Sequence, residues 1–101
     1  MGWATNYIVR LHNGKTIKFR PHGNSMSGRI ESGQLCTVMP IASYSDLCVG
    51  DIVLCKVNGH EYLHIIKAIQ GERFLIGNNH GKTNGWTNQR NIFGKLINIE
   101  K

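Results

Sequence analysis

Gly50-Asp51-Ile52-Val53-Leu54-Cys55-Lys56-Val57-Asn58-Gly59-His60-Glu61-Tyr62-Leu63-His64-Ile65-Ile66-Lys67-Ala68-Ile69 is the stretch that decides the fold. Two apolar runs rich in Ile and Val flank Asn58-Gly59. Asn-Gly between such runs is a strong short-range signal for a two-strand hairpin, because both residues tolerate the left-handed backbone of a tight turn. Gly50-Asp51 opens the first strand, Ile52–Val57, and the second runs over Tyr62–Ile69. Working outward, Leu35-Cys36-Thr37-Val38-Met39 reads as a strand stopped by Pro40, and Ile41 to Val49 as a loop. Arg73–Ile76 reads as a strand after the turn at Gly71. Gly77 to Asn88 is rich in Gly and Asn and reads as loop, with Trp86 as an anchor on the body. Ile92–Ile99 is a last strand, with a bulge at Phe93-Gly94.

At the other end, Tyr7-Ile8-Val9-Arg10-Leu11 and Thr16-Ile17-Lys18-Phe19-Arg20 flank a further Asn-Gly, Asn13-Gly14. A three-residue loop, His12-Asn13-Gly14, pairs Val9 with Ile17 and Tyr7 with Phe19. That register gathers the apolar side chains on one face and Arg10, Lys18 and Arg20 on the other. Strands at short spacing with little helical periodicity predict a mostly β, single-domain chain: a coiled antiparallel sheet or barrel-like domain.

Composition limits the function classes. The chain has 101 residues and a formal net charge of +6, with no run of like charges. Nucleic-acid binding is therefore expected to be weak and salt-sensitive at most, through Arg10, Lys18 and Arg20. No stretch approaches the ~20 apolar residues of a membrane span, and the N-terminus lacks a secretory pattern, so no membrane association is expected. Cys36, Cys48 and Cys55 are odd in number and form no Cys-x-x-Cys pair, which points to a reducing, cytoplasmic setting and to small buried apolar residues. The five His and three Cys lack ligand spacing, so neither a metal nor any other cofactor is expected.

Between the two regions lies Gly23-Asn24-Ser25-Met26-Ser27-Gly28-Arg29-Ile30-Glu31-Ser32-Gly33. Ser25 sits on a Gly-flanked turn, a common way to present a hydroxyl. A short helical turn after it would bury Met26 and Ile30 at i and i+4. His64 lies on the strand Tyr62–Ile69, where period 2 points it opposite to Lys67.

The ordered set resembles the peptidase superfamily that joins signal peptidases with self-cleaving SOS-type repressors. The family pattern has Gly-x-Ser-Met, then an apolar residue and Gly, then Gly-Asp-Ile-Val, then a strand carrying the base, an Asn at a strand end and a Gly-Lys strand. Here these are Gly23–Met26, Ile30 and Gly33, Gly50–Val53, Tyr62–Ile69, Phe74–Asn79 and Asn91–Ile97. The base strand resembles the endoplasmic-reticulum and archaeal type, whose base is histidine. The resemblance implies a serine peptidase acting on a peptide or protein, with Ser25 as nucleophile and His64 as base. It also implies oxyanion stabilisation by the Ser25 N–H and Asn24, and Asn78 orienting the imidazole. With the register off by one, Lys67 would be the base instead. The chain departs from the family at Ser27-Gly28, where Pro is usual, and at Asn78, where the histidine type has Asp. The lack of a membrane helix or DNA-binding segment before Ser25 argues against signal-peptide processing and repressor self-cleavage. A binding module on the same scaffold, holding a protein or nucleic-acid partner, is the other expectation.

Overall fold

The computed structural model describes residues 2–101. Helix α1 (Thr5–His12) precedes seven strands: β1 (Ile17–Phe19), β2 (Leu35–Pro40), β3 (Ile52–Val57), β4 (His60–Gln70), β5 (Arg73–Gly77), β6 (Thr83–Asn88) and β7 (Ile92–Glu100). Single 3₁₀ turns occupy Tyr44–Asp46 and Gln89–Asn91. The strands form one sheet in the order β1-β2-β7-β3-β4-β5-β6. Every neighbouring pair is antiparallel. The sheet is open, with β1 and β6 at its edges. The chain is thus mostly β, with one α-helix. Among the described residues no helix is long and apolar enough to cross a membrane.

The hairpin at Asn58-Gly59 forms as its residues require. Both are left-handed, at φ 51° and 82°, and Val57 faces His60 as the last pair. Its strands are buried on both faces, which is why they read as continuous apolar runs. Ile52 opposite Ile65 and Leu54 opposite Leu63 join one cluster; Val53 lies opposite His64 and Cys55 opposite Tyr62 on the other face. The first cluster is covered by Leu11 of α1 and Ala4 just before it, and by Met26 and Ile30 of the Ser25 loop. The second gathers Val53, Cys55, Val57, Ile66, Phe74, Ile76 and Ile92 under a coil of the sheet. That coil returns β6 to β3, where the Thr87 hydroxyl donates to the Lys56 carbonyl at 2.7 Å.

Where a hairpin is expected from Tyr7–Arg20, the structure has α1 followed by β1, which pairs with β2 instead. Ala4, Tyr7, Ile8 and Leu11 are spaced i, i+3, i+4 and i+7, an apolar helix stripe that outweighs the alternation of Tyr7, Val9 and Leu11. Val9 accordingly faces solvent, 53% exposed. Asn13-Gly14 closes the helix rather than a hairpin. Gly14, at φ 80°, donates its N–H to the Leu11 carbonyl, and Lys15 donates to Arg10. This is a Schellman ending, and it needs the same left-handed glycine that a hairpin bulge would. The expected cationic face does not form. Arg10 lies on the helix, Lys18 pairs with Glu100 at 3.8 Å, and Arg20 donates to the Gly33 carbonyl at 2.8 Å.

The segment Gly77–Asn88, expected to be loop, contains β6. Its pairing with β5 sets Phe74 opposite Thr87 and Leu75 opposite Trp86. An edge strand satisfies only one row of backbone groups and can be polar, so it lacks an apolar alternation. Trp86 is 36% exposed on that edge, with the Arg73 guanidinium 5.9 Å above its ring, rather than an anchor in the body. Cys36 and Cys55 are buried as expected, and burial pushes the Cys55 thiol up to about 12; Cys48 is exposed.

The bulge in β7 falls at Phe93. Gly94 faces Leu54 and Ile92 faces Cys55, so Phe93 is the extra residue. A Cβ on Gly94 would lie 2.6 Å from Val38 Cγ1 and 2.9 Å from the Met39 carbonyl oxygen. The backbone oxygen cannot move aside cheaply. Gly94→Ala is therefore expected to destabilise the fold by about 1–3 kcal/mol, read as a lower midpoint in urea at unchanged slope.

Candidate active site

The Ser25 loop begins at Pro21, two residues after β1, and Gly23 turns at φ 120°. Met26 and Ile30 both point into the first core cluster, and the Ile30 N–H donates to the Met26 carbonyl at 2.7 Å, one helical turn. Ser25, one residue before the buried Met26, is held at the surface. The Gly33 N–H donates to the Pro21 carbonyl at 2.8 Å and closes the loop.

His64 stands on β4 opposite Val53 and is only 6% exposed. Its ring stacks on Tyr62 at 4.8 Å between centroids. Nε2 lies 3.0 Å from Ser25 Oγ, across 39 residues of chain. Nδ1 lies 2.7 Å from Asn84 Oδ1 on β6. An amide oxygen only accepts, so Nδ1 carries the hydrogen and Nε2 is left as the acceptor for the Ser25 hydroxyl. This is the tautomer a general base needs. Burial lowers the His64 pKa from its ordinary value; the bond to Asn84 offsets part of this, and the Lys67 charge lowers it further. The imidazole is therefore neutral at pH 7, with its lone pair toward the hydroxyl.

The remaining sequence-predicted residues fall as follows. Lys67 is the extra residue of a β4 bulge, since Ile66 faces Ile76 and Ala68 faces Leu75. Its stem packs over Gly77, where a Cβ would lie 3.0 Å from Lys67 Cε. It acts on His64 through charge, and Ser25 Oγ is bonded to the imidazole. Asn78 does not meet His64. Its Oδ1 accepts from the His80 and Lys82 N–H groups at 2.8 and 3.0 Å and shapes the β5–β6 turn. The amide on the imidazole is Asn84, which lay in the segment read as loop; no periodicity or spacing singled it out.

Asn24 contributes through its backbone. Its carbonyl accepts from the Ser27 N–H at 3.1 Å, and His80 Nε2 lies 3.0 Å from that carbonyl and 2.8 Å from Ser27 Oγ. The Ser25 carbonyl accepts from the Asn79 N–H at 3.0 Å, and the Ser27 carbonyl from Asn79 Nδ2 at 2.9 Å. The β5–β6 turn thus clamps the carbonyls of the Ser25 loop. In a trans peptide the carbonyl and the next N–H point opposite ways. Fixing the Asn24 and Ser25 carbonyls therefore turns the Ser25 and Met26 N–H groups away from the turn. Neither has an acceptor among the described residues. Two such donors beside Ser25 Oγ suit a developing oxyanion. His80 and Asn79, unremarked in the sequence, make this arrangement.

A cleft of about 440 Å³ opens from Ser25 and His64 and runs between the loop, Tyr62-Leu63 and the start of α1. Among the described residues no three His, Cys, Asp or Glu side chains gather to hold a metal ion. Comparison of the chain with protein-family models, curated proteins and solved structures returned no match.

Proposed function

We propose that the chain is a serine peptidase of the signal-peptidase and SOS-repressor type, with a Ser25–His64 dyad. One observation carries the reading: Ser25 Oγ at 3.0 Å from an imidazole nitrogen whose other nitrogen is held at 2.7 Å by Asn84. The ordered motifs support it, as does the mostly β architecture. His64 Nε2 takes the Ser25 proton as Oγ attacks the scissile carbonyl. The oxyanion is met by the Ser25 N–H, with the Met26 N–H beside it. His64 then protonates the leaving amine, and water hydrolyses the acyl-enzyme with His64 again as base. Asn84 keeps the tautomer, while the imidazolium gains a carbonyl dipole and the face of Tyr62 in place of a carboxylate.

That amide in the place of an acid favours a second reading, a peptide-binding module in which acyl transfer has been lost. Labelling with a fluorophosphonate separates them. One adduct, mapped to Ser25 and absent from Ser25→Ala, is expected. No adduct, or one on another serine, leaves the binding module.

The clamp predicts a further effect. His80→Ala leaves the Asn24 carbonyl held by the Ser27 N–H alone and loosens the oxyanion donor, so kcat is expected to fall about tenfold with KM little changed. This is less than the ~10²-fold or more lost with a donor itself. His80→Gln, which keeps an N–H donor, should restore part of the rate. A rise in KM at constant kcat would count against the clamp.

A further inference from the structure

We infer that the wall of the cleft formed by Trp3, Tyr7 and Phe19 is a subsite for a bulky apolar side chain flanking the scissile bond of an extended peptide. The inference rests on the acyl-transfer reading of Ser25 and His64 for what the cleft is used for, while the binding preference itself can be measured without chemistry.

The wall is built rather than incidental. Tyr7 and Phe19 stack at 4.6 Å, and Trp3 meets Phe19 at 5.7 Å, tilted by 50°. Trp3 is nevertheless 52% exposed. A large exposed aromatic side chain in a small domain usually swings freely; this one does not. Its indole N–H donates to the Glu61 carbonyl at 3.2 Å, which fixes the ring plane. The Glu61 side chain accepts from the Ala4 N–H at 2.6 Å and from the Thr5 hydroxyl at 3.0 Å. A carboxylate from β4 thus caps the positive end of α1. It also ties the wall to the strand that carries His64, three residues further along. Displacement of the wall relative to the dyad is restrained by these bonds, which is what a specificity pocket requires.

The chemistry of the lining selects the occupant. Rings and the Met26 and Ile30 side chains supply apolar surface. Of the charged members, Glu61 is buried against the start of α1, while Arg20 and Glu31 stand at the exposed rim, bonded to the Gly33 carbonyl and the Gly28 N–H. A charged substrate side chain seated against the Trp3, Tyr7 and Phe19 rings would lose water with no opposite charge among them. A methyl group would leave most of the surface of the rings to water. A phenyl or isobutyl group would cover the rings and displace that water, and pockets of this kind discriminate by about tenfold or more per apolar increment.

The test uses the full chain carrying Ser25→Ala, so that no acylation intervenes. Blocked pentapeptides of glycine with one central residue, Ala, Leu, Phe, Asp or Lys, are titrated while the two indole N–H resonances are followed by NMR. Trp86, on β6 and outside the lining of the cleft, serves as the reference. The Phe and Leu peptides are expected to bind at least about tenfold more tightly than the Ala peptide, shifting Trp3 and leaving Trp86 still. Tyr7→Ala should remove the preference while the Trp86 resonance reports an intact sheet. Equal affinity for Ala and Phe, preference for Asp or Lys, no binding by any peptide, or shifts confined to Trp86 would each overturn the inference. If the preference holds while the parent protein takes no fluorophosphonate, the subsite stands and the peptidase reading falls. If Ser25 is labelled but no preference exists, the reverse follows.

Discussion

His64→Ala is expected to lower peptide hydrolysis by only about 10²-fold, and adding Ser25→Ala to cost nothing more. In a serine protease with a full triad, removing the whole triad costs about 10⁶-fold, whereas removing the acid alone costs about 10⁴-fold. A dyad whose Nδ1 partner is an amide starts near the second of these levels, so roughly 10² remains to be lost. Ser25 and His64 share a single hydrogen bond, and neither can act in proton transfer without the other. Their losses should therefore coincide rather than add. The measurement is kcat/KM for the parent, both single variants and the double variant on one Phe-containing peptide. A double variant about 10²-fold below either single would mean that the two residues act separately, and the dyad would be wrong. A Lys67→Met variant as inactive as His64→Ala would move the base to lysine.

The hairpin of β3 and β4 was legible because two independent signals agree there: left-handed residues at the turn, and apolar runs long enough to be strands but not helices. At Tyr7–Arg20 the same signals conflicted. Asn13-Gly14 serves a helix ending as well as a hairpin, and Tyr7, Val9 and Leu11 fit period 2 while Ala4, Tyr7, Ile8 and Leu11 fit period 3.6. The helix stripe packs on the core, and a tertiary contact that no local pattern shows adds to it: Glu61, 57 residues from Ala4, caps the helix start. The nearness of Ser25 and His64 could be expected only from the order of motifs, since nothing local to either residue indicates the other. Asn84 was beyond reach for a different reason. It sits on a polar edge strand whose position is set by backbone pairing with β5 and by the coil that brings Thr87 to Lys56. A strand held in that way leaves little trace in side-chain pattern, and the family resemblance points instead to Asn78, on the adjoining turn.

Asn84→Asp is expected to raise the hydrolysis rate by about 10²–10⁴-fold at neutral pH, the span that an acid contributes beside a catalytic imidazole. The geometry is already present: Asn84 Oδ1 is 2.7 Å from Nδ1, and a carboxylate of the same shape keeps the acceptor and adds a charge. The nearby Lys67 charge, which now opposes the imidazolium, would face a neutralising partner. The pH profile separates this from a general gain in stability. In the parent, burial lowers the His64 pKa, so the neutral, active base persists to a pH below the ordinary ~6.5. Activity should rise with pH through that lower value and be level across neutrality. The carboxylate favours the imidazolium, so in Asn84→Asp the acid limb should move to higher pH. Stability follows with definite signs. In the parent, the unfolded chain binds the proton more tightly than the folded one. The contribution of buried neutral His64 is then full above ~6.5 and lost as pH falls through the lowered folded value. In Asn84→Asp, a folded value raised above ~6.5 would reverse this: the contribution is full below ~6.5 and lost as pH rises through the folded value. Urea midpoints between about pH 5 and 8, taken beside the rate profile, read both. An acid limb that stays in place in Asn84→Asp would mean that residue 84 does not hold the imidazole in solution, and the orienting role would fall with it.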